Sequence, residues 1–87
     1  MDLTVTRKYI SSDGKAAPGE HYTLKCTEPE RRVSPDSCRH YAFYRSPKGS
    51  EVAQDIGYGT GPYTRLASDG DLFRIVKAAV EQYDAAS

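Results

Sequence analysis

The sequence predicts an α+β domain: a small antiparallel sheet of three to four strands with one C-terminal helix packed on one face, in the order ββββα. Three observations predict it. Four short segments alternate apolar and polar residues with a period of two, which sends successive side chains to opposite faces. Turn-forming residues separate those segments. The last segment instead follows the 3.6-residue period of an amphipathic helix. The 87 residues make a single domain, 1–87, with the sheet over about 3–58, a glycine-rich connection over 57–67 and the helix over about 69–85. A chain this short buries only roughly 60–65% of its unfolded surface, so its core is thin.

The first strand is expected over residues 3–10, where Leu3 and Val5 alternate with Thr4 and Thr6. The turn sequence SSDG ends it, and Pro18-Gly19 keeps KAAPGE out of a helix or a central strand. The second strand is expected over 21–27, with Tyr22, Leu24 and Cys26 on one face and His21, Thr23 and Lys25 on the other. The polar loop TEPERRVSPDS leads to the third strand, CRHYAFYR, over 38–45, and SPKGS then makes a hairpin loop. The fourth strand, over 51–56, sets Val52, Gln54 and Ile56 against Glu51, Ala53 and Asp55. GYGTGPY ends it.

Ser68 is the expected helix N-cap, with Asp71 completing a capping-box-like pattern. Leu72, Val76, Ala79 and Tyr83 form one stripe, flanked by Phe73, Ile75 and Val80. Arg74, Lys77, Glu81 and Asp84 cluster on the opposite face. A single helix covers one face of the sheet and leaves the other to solvent or to a partner.

Charge and composition exclude several classes. Twelve basic and twelve acidic residues give zero formal charge, unlike a tail-driven nucleic-acid binder or an acidic DNA mimic. Ten per cent aromatic residues, seven of them Tyr, exceed what disordered chains carry. No apolar run approaches the roughly 20 residues of a membrane span. The start, MDLTVTRKYI, has no signal-peptide core. A cytoplasmic location, free thiols at Cys26 and Cys38, and a complete small gene product are therefore expected.

Catalytic and cofactor motifs are missing. GYGTGPY lacks the P-loop lysine and the dinucleotide spacing, and Asp69 and Asp71 would repel a phosphate at the helix entrance. His21, Cys26, Cys38 and His40 include no tight Cys knuckle for zinc. Cys38 and His40 share a strand face with their Cα atoms about 6.6 Å apart, which is loose for a direct nucleophile–base hydrogen bond. No enzyme activity, no cofactor and no metal are expected.

The third strand carries the candidate surface. Arg39, Tyr41, Phe43 and Arg45 share one face, an Arg–aromatic–aromatic–Arg row, while Cys38, His40, Ala42 and Tyr44 share the other. The row is partly similar to the RNA-recognition-motif signature at Arg39, Tyr41, Ala42 and Phe43, but departs at His40 and Ser46. That fold also needs a helix where residues 11–20 cannot supply one, so the family is not assigned. Tyr and Arg are also the residues of protein-interface hot spots. With Tyr58, Tyr63 and Arg65 from the glycine-rich segment, the expected binding residues are Arg39, Tyr41, Phe43, Arg45, Tyr58, Tyr63 and Arg65.

The expected function is a small non-enzymatic regulator or inhibitor that occludes a partner protein. Its expected setting is a phage or mobile-element accessory protein that blocks a host defence system such as CRISPR. The alternative is a nucleic-acid-binding module using the aromatic and Arg face of the sheet. A homodimer through an edge strand or the open face would suit so thin a core.

Overall fold

The computed structural model describes residues 3–12, 14, 16–26, 39–57 and 65–87. Five strands and one helix follow in order: β1 (Leu3–Ser11), β2 (Gly19–Cys26), β3 (His40–Arg45), β4 (Glu51–Gly57), β5 (Arg65–Ala67) and α1 (Gly70–Ala86). The strands form one antiparallel meander in the order β1-β2-β3-β4-β5, and α1 packs on one face. This is the α+β fold that the alternation predicts, with one more strand. β5 has only three residues, too few for a period of two to register in the sequence.

The covered face is apolar at its centre. Tyr22, Leu24, Tyr41, Phe43 and Ala53 from the sheet meet Val76 and Val80 of α1, and Leu3, Val5, Leu72, Phe73 and Ala79 pack around them. Cys26 is also buried. β2 and β3 lie in the middle of the sheet, so their inward side chains have neighbours on every side. Ile75 and Tyr83 fall at the rim of the helix stripe and stay partly exposed.

A β-bulge between Val5 and Arg7 matters for everything that follows. Two residues of β1 oppose one of β2 there, and the alternation changes phase. Val5 pairs with Leu24 on the covered face, but Arg7 pairs with Thr23 and Tyr9 with His21 on the other. Without the extra residue, Arg7 and Tyr9 would point under the helix. The Thr6 hydroxyl donates to the Thr23 carbonyl and pins the bulge.

The helix entrance differs from the expectation. Asp69 is the N-cap, in extended geometry and without a side-chain cap hydrogen bond, in place of Ser68. Gly70 takes φ +86, so the chain turns into the helix one residue later than a serine cap would place it. At the start of β2, Gly19 takes φ +131, and a Cβ there would stand 2.3 Å from the Arg45 carbonyl oxygen. Only glycine lets β2 run that close to the end of β3.

Candidate functional site

The Arg–aromatic–aromatic–Arg row lies on the covered face. Tyr41 is 2% exposed and Phe43 1%, both beneath α1. The row therefore cannot act as a stacking platform for nucleic acid, which corrects that expectation for Tyr41 and Phe43. The alternation along β3 is as predicted, but the amphipathic helix selects this face because it is the apolar one.

The two arginines of the row are held by carboxylates. Arg39 grips Asp55 through Nε and Nη2, and the Gly57 amide donates to the same carboxylate. Arg45 reaches Glu51 at 2.9 Å, Glu20 at 3.1 Å and Asp84 at 3.6 Å. Lys8 pairs with Asp84 and Glu20, and Lys77 pairs with Glu51. The Tyr22 hydroxyl lies 2.8 Å from Glu20 Oε2 and 2.9 Å from both Asp84 oxygens, so one proton is shared between two carboxylates. Three cations thus face three carboxylates along one side of the helix. This corrects the placement of Lys77 and Asp84 on the helix face opposite the apolar stripe: both tie α1 to the sheet. Arg74, by contrast, is exposed and, among the described residues, pairs locally with Asp71.

This network sets a pH profile. The Tyr22 hydroxyl first, then Arg45 and Lys8, holds the Glu20 carboxyl below its ordinary value, and Lys77 does the same for Glu51. Burial pushes Asp55 and Asp84 up, but Arg39 with the Gly57 amide, and Tyr22 with Lys8, outweigh it and leave both depressed. Depressed folded values mean that the unfolded chain takes up protons first. Stability is therefore full above about pH 4.5 and is lost as pH falls through the folded values. Burial, with the bonds to Glu20 and Asp84, pushes Tyr22 up to about 12 from 10.0, so stability is lost again as pH rises above 10.0. Thermal melts across pH should give a plateau between these limits. A midpoint that keeps rising below about pH 4 would contradict the network.

The remaining predicted binding residues divide in two. Arg65 opens β5, exposed and opposite Asp55 in the register. Tyr58 and Tyr63 lie outside the described residues.

The open face presents a different set of side chains, in rows across the strands. The first row is Tyr9, His21, Tyr44 and Val52. Tyr9 stacks on His21 with centroids 4.7 Å apart and planes 5° apart, and His21 meets Tyr44 at 4.9 Å. The His21 ring is held by its Nε2, 2.8 Å from the Ala17 carbonyl, and the Tyr44 hydroxyl donates to the Pro18 carbonyl. Arg7 lies over the Tyr9 ring at 5.1 Å. The second row is Arg7, Thr23, Ala42, Gln54 and Leu66, and the third pairs Lys25 with His40.

The charges are segregated between the two faces. The strand carboxylates Glu20, Glu51 and Asp55 all pair on the covered side. Among the described residues, no Asp or Glu belongs to the rows of the open face, which carry Arg7, Lys25 and two histidines. Zero net charge conceals this division. The arrangement is an aromatic strip with cationic flanks, open to solvent: Tyr9 is 40% exposed and Leu66 67%. Among the described residues, no group of three or more His, Cys, Asp or Glu side chains is placed to hold a metal, and no helix is long and apolar enough to cross a membrane.

The fold and this strip define an open-faced sheet-and-helix domain. Compared with known proteins, the chain matches no family model, no curated protein and no solved structure. The sequence reading missed Arg7, Tyr9, His21, Tyr44 and Gln54 as site residues. The signal that could have found them was the carboxylates in phase with Arg39 and Arg45, which mark that face as self-neutralised.

Proposed function

We propose that this chain is a non-enzymatic binding module whose open sheet face covers single-stranded nucleic acid. The observation that carries the reading is a face with no Asp or Glu among its described residues, with the Tyr9–His21–Tyr44 strip and Arg7 and Lys25 beside it. The Tyr44 ring, tilted 47° from His21, offers a face to an unpaired base, and the flanking cations meet the phosphates. The test is fluorescence anisotropy with labelled single-stranded DNA and RNA across a salt series. Two phosphate contacts, through Arg7 and Lys25, should give a slope of log K against log salt near −1.4, at about −0.7 per contact. Tyr44→Ala should weaken binding about tenfold and keep the slope, because it removes stacking alone. Absence of saturable binding, or full affinity in Tyr44→Ala, would overturn the reading.

A second reading has its own support. Val52 and the exposed Leu66 make the β4–β5 side of the face apolar, and Tyr, Arg and apolar side chains together suit a protein interface. In that reading the chain is a regulator or inhibitor that occludes a partner protein, as a phage or mobile-element accessory protein would against a host defence system such as CRISPR. A purified partner whose binding is lost in Leu66→Asp, with no competition from oligonucleotides, would favour it over the first.

A further inference from the structure

Beside the aromatic strip lies a trough. Its floor is Thr23 and Ala42, the two small residues at the centre of the open face. His21, Tyr44 and Val52 wall one side, and Gln54 stands at the β4 end. The space is about 150 Å³, the volume of about five waters at about 30 Å³ each. That is well below the roughly 300–1,000 Å³ of pockets for whole small-molecule ligands. It is the size for one planar ring. The Gln54 amide forms no hydrogen bond with any described residue and offers a donor and an acceptor together.

Resting on the single-strand reading above, we infer that this trough seats one base of the bound strand and that Gln54 reads its edge. The trough lies one side-chain step from the stacking strip: His21 to Thr23 on β2 and Tyr44 to Ala42 on β3 are each two residues, about 6.8 Å. Two neighbouring bases can occupy strip and trough only if they unstack, which single strands allow and a duplex does not. A primary amide pairs with adenine through N6 and N7 together. The seat therefore prefers adenine, and Gln54 is the specificity-determining residue.

The experiment measures anisotropy of labelled single-stranded oligo-dA, oligo-dT and oligo-dC on the full chain. Three proteins are compared: the parent, Gln54→Leu and Ala42→Leu. Circular dichroism melts check that both variants fold, as expected for side chains outside the helix-covered core. The parent should bind oligo-dA about fivefold tighter than the other two. Gln54→Leu should bind all three alike, and Ala42→Leu, which fills the trough, should weaken all three about fivefold or more. Equal affinity of the parent for the three strands, or a dA preference that survives in Gln54→Leu, overturns the seat alone. No binding by the parent overturns the single-strand reading, and the seat with it.

Discussion

Phe43→Ala should come close to abolishing the fold, whereas Tyr44→Ala, one residue along the same strand, should cost about 1 kcal/mol or less. Phe43 is 1% exposed and packs against the rings of Tyr22 at 5.8 Å and Phe73 at 6.1 Å, with Val76 and Val80 in the same cluster. Truncating such a ring removes its transfer free energy and leaves a cavity, together about 3–5 kcal/mol. A domain holds roughly 0.05–0.15 kcal/mol per residue, so 87 residues carry only about 4–13 kcal/mol in all. The low end of that range does not survive the substitution. Tyr44 points the other way, and its loss removes one cross-strand ring contact and one hydrogen bond to the Pro18 carbonyl. Urea titrations followed by circular dichroism measure both. Equal costs for the two would mean that the open face is also covered in solution, and would remove the candidate site.

The contrast between these neighbours shows what was legible in the sequence. Period-two alternation fixed which β3 residues share a face, and the helix stripe of Leu72, Val76, Ala79 and Tyr83 fixed that one face would be covered. Alternation carries no sign, however. Both faces of β3 bear aromatic residues, so Tyr41 and Phe43 could not be told from Tyr44 as the exposed set. The apolar neighbours on β2 and β4 decide it, and the strand register then lets Arg39 and Arg45 find Asp55, Glu20 and Glu51 across the strands. Those partners lie from 6 to 25 residues away in sequence.

The bulge at Thr6 was illegible for a different reason. Bulges of this kind need no glycine, and the segment Thr4 to Arg7 reads as an ordinary strand. One inserted residue nevertheless moved Arg7 and Tyr9 from the covered to the open face. The cation–π pair of Arg7 on Tyr9, and the stack of Tyr9 on His21, both depend on it. Propensity cannot supply this, because the phase change is enforced by pairing with β2.

The second large effect is expected at Arg45. Lys8, Arg45 and Lys77 balance Glu20, Glu51 and Asp84 one for one. Arg45→Met keeps an unbranched stem over the Phe43 and Tyr22 rings, which the guanidinium now approaches to 5.6 and 6.0 Å. It leaves three carboxylates facing two cations. The loss near neutral pH should be about 2–4 kcal/mol, dominated by the uncompensated charge. The sign of its pH dependence follows from the same groups. Glu20, Glu51 and Asp84 are depressed in the parent partly by Arg45, so the parent loses stability when they protonate. The variant has lost part of that stabilisation already. The two stability curves should therefore converge as pH falls below about 4.5, the ordinary glutamate value. Denaturant titrations of both proteins near neutrality and at about pH 4 measure the gap. A gap that stays constant would assign the loss to packing of the stem rather than to charge. Arg45→Lys should recover only part of the stability, because a point charge cannot reach Glu20, Glu51 and Asp84 as the guanidinium fork does.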